Sequence, residues 1–87
     1  MRPQDLYPEI GRLTAAVRTH CDDLAVLRVT CETWDRDTLR VDAGSPWTRD
    51  ETVAAAVADL AAAEDALRSA SGRLEGAWSA LGRLSAD

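Results

Sequence analysis

The sequence predicts an all-α fold, an antiparallel hairpin of two long helices spanning about 8–42 and 49–84, assembling into a four-helix bundle. Three observations carry this. Leu60, Leu67, Leu74 and Leu81 recur every seven residues beside Ala56, Ala63, Ala70 and Ala77, and a seven-residue repeat keeps both rows on one face of a helix. Ile10, Leu13, Val17, His20, Leu24, Leu27, Cys31 and Trp34 alternate spacings of three and four, a second such face. Between them, Gly44-Ser45-Pro46 breaks the chain, because glycine suits the left-handed residue after a helix end and proline cannot continue one.

The first helix is expected to start at Pro8, whose missing amide would be unsatisfied at a helix start anyway, with Glu9 favourable at the positive end of the dipole. Arg28–Glu32 and Glu32–Arg36 have the spacing of supporting ion pairs on its outer face. A second reading of 26–43 stays open. Val26, Val29, Thr30 and Thr33 are β-branched, and Asp35-Arg36-Asp37 has turn composition, which fits a β-hairpin. The unbroken spacing through Trp34 favours the helix, and an isolated hairpin is poorly stable.

The turn is placed at about 43–48. Thr48-Arg49-Asp50-Glu51 has the capping-box form, which starts the second helix at Arg49. Gly72, Gly76 and Gly82 each cost about 1 kcal/mol against alanine in a helix interior, so bending or fraying is expected toward the carboxy terminus. Folding about the turn pairs Leu24 with Leu67, Val17 with Leu74, Leu13 with Trp78, Ile10 with Leu81 and Cys31 with Leu60. In that register His20 meets Ser71 in one polar layer, and Glu64 faces Leu27 as a misfit escaping to solvent along its stem.

Composition bounds the function. With 87 residues and 46% hydrophobic content, the chain is one domain, 1–87, of a size at which oligomerisation commonly completes the core. The net charge is −5, which opposes nucleic acid and anionic lipid as partners. No run is apolar enough to span a bilayer, and no apolar stretch follows Arg2 as in a signal peptide. A cytoplasmic place is expected, leaderless export remaining open. All ten basic residues are arginine and sixteen residues are alanine, an actinobacterial-like codon bias that weakens arguments from alanine content.

No site chemistry stands out. His20, Cys21, Asp22 and Asp23 are consecutive, and consecutive helical residues point about 100° apart and do not converge on one ion. Cys21 and Cys31 lie about 15 Å apart along one helix, too far for a disulfide. No phosphate loop, nucleophile motif or paired carboxylate appears, so no enzyme, cofactor or metal is expected. Trp34 and Trp78 fall on the seams. Trp47 lies in the turn, where it either closes over the hairpin end or anchors a partner, as tryptophan does at binding hot spots. Ala55, Ala62, Ser69 and Gly76 form a small-residue row away from the leucines and are expected, with Trp47, to be the contact surface. The expected role is a non-catalytic interaction or assembly protein, an adaptor, structural or regulatory subunit. Its partner is a second copy or a similar helical chain.

Two equal helices joined by a short tryptophan-bearing turn resemble in outline the WXG100 proteins of type VII secretion. The turn reads Ser45-Pro46-Trp47-Thr48-Arg49, without glycine two residues after the tryptophan, and no tyrosine stands near the carboxy terminus. The resemblance covers the hairpin layout and implies, as an alternative, a secreted helical hairpin. A further alternative is an acidic inhibitor presenting Asp22, Asp23, Glu32, Asp35, Asp37 and Asp42.

Overall fold

A computed structural model describes residues 1–86. Two helices, α1 (Pro3–Thr33) and α2 (Arg49–Leu81), pack against each other along most of their length. Among the described residues there is no strand, so the β-hairpin alternative for 26–43 is not realised. The molecule is a rod of 64 × 21 × 15 Å with a radius of gyration of 19.4 Å, against about 12 Å for a compact chain of this length.

α1 starts five residues earlier than the sequence reading placed it. The Asp5 carboxylate accepts from both the Arg2 amide and its guanidinium at the helix start, and it is Pro3, not Pro8, that occupies the first turn. Pro8 lies inside the helix, where it cannot donate to the Gln4 carbonyl and its ring crowds that group. Replacing Pro8 with alanine is therefore expected to stabilise the fold by about 2 kcal/mol. A higher thermal midpoint at fixed protein concentration checks this.

α1 also ends earlier, at Thr33 rather than near Asp42. The backbone turns extended at Trp34, with ψ 140°, whereas the hydroxyls of Thr30 and Thr33 bond back to the carbonyls of Val26 and Thr30 as Thr14 does to Ile10 within the helix. Asp35 then accepts from the Asp37 amide and starts a short 3-10 turn, Arg36–Thr38. The connection is thus 34–48, not 43–48. Its ion pairs Arg36–Asp50 (3.6 Å) and Asp37–Arg49 (3.9 Å) hold it beside the first turn of α2, so Arg36 pairs there and not with Glu32. Gly44, at φ 82°, makes the bend that glycine tolerates without strain.

α2 begins as expected, with the Thr48 hydroxyl accepting from the Glu51 amide at 3.1 Å. It continues through Gly72 and Gly76 and stops at Leu81, three residues short of the expected end, with Gly82 as its cap. At the far end of the rod Gln4 and Ala86 exchange two hydrogen bonds, clasping the two ends of the chain.

The helices face each other near the expected register, but α1 is rotated by one residue. Its inward positions are Ile10, Thr14, Val17, Cys21, Leu24, Arg28 and Cys31, all buried or half-buried. Leu13, His20, Leu27 and Trp34, expected on the seam, are exposed. The cause is Glu64, which is only 4% exposed. A buried carboxylate opposite Leu27 would be unpaired and costly; rotation brings Arg28 to it at 2.5 Å. Glu64 therefore does not escape to solvent. Trp78 favours the same rotation, since its indole lies over Gly11 and stacks with Tyr7 at a centroid distance of 5.3 Å. Thr14, 1% exposed, satisfies its hydroxyl on the Ile10 carbonyl at 2.8 Å.

Candidate interaction surface

In heptad terms, α1 carries Thr14, Cys21 and Arg28 at a and Ile10, Val17, Leu24 and Cys31 at d. α2 carries Val57, Glu64, Ser71 and Trp78 at a and Val53, Leu60, Leu67, Leu74 and Leu81 at d. This interior is polar for its size. Among the described residues the buried side chains are Thr14, Cys31, Val53 and Glu64, two of them apolar. Arg28 joins Glu64 to Glu32 at 3.0 Å on the surface. These carboxylates hold its guanidinium above the ordinary arginine range, Glu64 contributing most.

The two flanks of the hairpin differ. In an antiparallel pair, e positions of one helix lie beside e positions of the other, and g beside g. The e flank is charged, with Arg18 bonded to Glu75 across the helices and Glu32 and Arg68 further along. The g flank carries Leu13, His20, Leu27 and Trp34 from α1 beside Ala56, Ala63, Ala70 and Ala77 from α2, with no formally charged residue. Leu13, Leu27 and Trp34 are 43%, 53% and 46% exposed.

His20 and Ser71 are not brought together. His20 is exposed on the g flank, Ser71 is half-buried on the seam, and the α1 position level with Ser71 is Cys21. Trp47 and Ala55 do come together. Both line a shallow cleft of about 450 Å³ with Arg40, Val41, Asp42, Ser45 and Thr52, between the connection and α2. Trp47, whose amide bonds to Ser45 Oγ at 3.2 Å, is 57% exposed. Ala62, Ser69 and Gly76 continue from Ala55 down the outer side of α2, exposed, and a Cβ on Gly76 would meet nothing within 4 Å.

Reading for the seam missed the Leu13, Leu27 and Trp34 row as a surface. The signal was present: the d row at 10, 17, 24 and 31 can be completed three residues on, by Leu13 and Leu27, or four residues on, by Thr14 and Arg28. The hydrophobic choice looks like core until Glu64 is given a partner.

The fold defines a small all-helical hairpin, with no helix among the described residues long and apolar enough to cross a membrane. No protein-family profile, curated protein or solved structure matches the chain.

Proposed function

We propose that this chain is a non-catalytic assembly protein that works by packing helix against helix, with the four-helix bundle as its working form. The observation that carries this reading is the imbalance between interior and surface. Two apolar residues are buried among the described residues, while Leu13, Val26, Leu27, Val29, Trp34 and Trp47 stand 43–65% exposed. The accessible surface of 6284 Å² exceeds by roughly 1,300 Å² what a compact chain of this mass presents. Two helices alone bury one stripe each, and a second layer is the usual remedy.

Two surfaces offer themselves: the small-residue row Ala55, Ala62, Ser69 and Gly76 with Trp47 at its head, and the uncharged g flank. The net charge of −5 favours a protein partner over nucleic acid. Native mass spectrometry of the purified protein at micromolar concentration tests the reading. The expected result is a complex of fixed stoichiometry holding more than one chain. A single 9.4 kDa chain at every concentration, alone or from its source, would overturn it.

A further inference from the structure

The assembly reading leaves open which face is used and what covers it, and the inference drawn here rests on that reading. We propose that the g flank is the interface, and that its occupant is a second copy of this chain, related by a two-fold axis along the rod.

The register set by Gln4–Ala86, Gly11–Trp78 and Arg28–Glu64 places the two g rows nearly level with each other. Leu13 lies beside Ala77, His20 beside Ala70, Leu27 beside Ala63 and Trp34 beside Ala56. One row is bulky and the other small at every level. A two-fold axis parallel to the helices turns this asymmetry into a fit. It lays α1 of each copy over α2 of the other, antiparallel, so that each leucine, the histidine and the tryptophan sit over an alanine of the opposite copy. A two-fold axis across the rod would instead stack the bulky row on itself and the alanines on themselves, holding the alanine side apart. Alternation of large and small side chains across facing positions is what lets layers interdigitate at native density.

Area and charge agree with this occupant. From Leu6 to Trp34 the row runs about 42 Å at 1.5 Å per residue, and across two helices the face measures on the order of 750 Å², close to the roughly 800 Å² per partner of a stable interface. Apart from the Arg28–Glu64 pair within the seam, formal charges along the paired helices lie on the e flank and the outer sides, so a copy approaching the g flank desolvates no ion pair. A bundle formed this way keeps every neighbouring helix pair antiparallel, and rows d and g, apolar but for His20, widen the apolar stripe of each helix on the side that would face a bundle core. A partner of another kind would have to supply a bulky and a small row side by side at the same spacing; this chain already does.

His20, the only histidine, reports on the face without any substitution. It is exposed in the single hairpin and becomes covered in the dimer. Three measurements test the proposal. Sedimentation of the wild-type protein is expected to give two copies of the 9.4 kDa chain, with acylation of His20 by diethylpyrocarbonate slowed at least about tenfold relative to N-acetylhistidine. Leu27→Asp is expected to weaken the dimer at least about a hundredfold. Val29→Asp, equally exposed but on the outer side, and Ala62→Gln, on the small-residue row, are expected to leave it intact. If Leu27→Asp fails to fold, the wild-type acylation rate decides, and a rate equal to that of the free amino acid overturns the proposal. A dimer that survives Leu27→Asp, or that Ala62→Gln dissociates, overturns it too. Assembly only with a different chain overturns this inference and leaves the assembly reading standing; a strict monomer removes both.

Discussion

Arg28→Leu is expected to lower the thermal midpoint by at least about 10 °C, whereas Glu64→Leu is expected to leave it unchanged or raise it. The pair looks symmetric on paper, yet its two ends sit in different surroundings. The Arg28 side chain is 28% exposed and keeps a second partner, Glu32 at 3.0 Å. The Glu64 side chain is 5% exposed and its hydrogen bonds come from Arg28. Removing the arginine strands a buried carboxylate, the costly way to break such a pair, while removing the glutamate releases Arg28 to water and to Glu32. A leucine at position 64 would also extend the Leu60 and Leu67 ridge. Thermal unfolding by circular dichroism, with all variants at one protein concentration because assembly shifts the midpoint, reads both effects. Equal losses from the two substitutions would contradict the asymmetry.

The second large effect concerns a helical glycine. Gly11→Ala is expected to destabilise the protein by about 1–3 kcal/mol, although alanine is the better helix former by about 1 kcal/mol. A Cβ at position 11 would lie 2.8 Å from Cζ2 and 3.0 Å from Cε2 of Trp78, nearer than such atoms approach. The indole cannot simply swing away, since it is stacked on Tyr7 and its Nε1 is buried without a hydrogen-bond partner, held by shape alone. Gly72 is the control. Nothing lies within 4 Å of its Cβ position, so Gly72→Ala is expected to stabilise by about 0.5–1 kcal/mol. Denaturant midpoints at matched slopes separate the two signs, and stabilisation by both would mean that the close approach of Trp78 to α1 does not matter.

Much of the hairpin was legible in the chain itself. The leucine row of α2, its Thr48 cap, the break at Gly44 and the inward d row at Ile10, Val17, Leu24 and Cys31 follow from local chemistry and seven-residue spacing. The end of α1 was not, because the apolar spacing runs on through Trp34 while the backbone turns extended there and Asp35 caps a separate short turn. Nor was its start, since two prolines each had the form of a first-turn residue and only the Arg2–Asp5 cap distinguishes them. Of the candidate contact residues, Trp47 and Ala55 meet at one cleft across a connection whose path the sequence does not encode locally. The apolar g flank was hidden because its leucines had been assigned to the core.

By itself, then, the sequence determined that this protein is two amphipathic helices folded back on each other, because periodicity and capping act over a few residues at a time. Only the tertiary structure decided which face of α1 turns inward. Two faces differing by one residue were both available, and the more hydrophobic one lost: leaving Glu64 buried without Arg28, and Trp78 without the space over Gly11, costs more than exposing Leu13 and Leu27. That choice puts a largely apolar, uncharged flank on the surface of the rod.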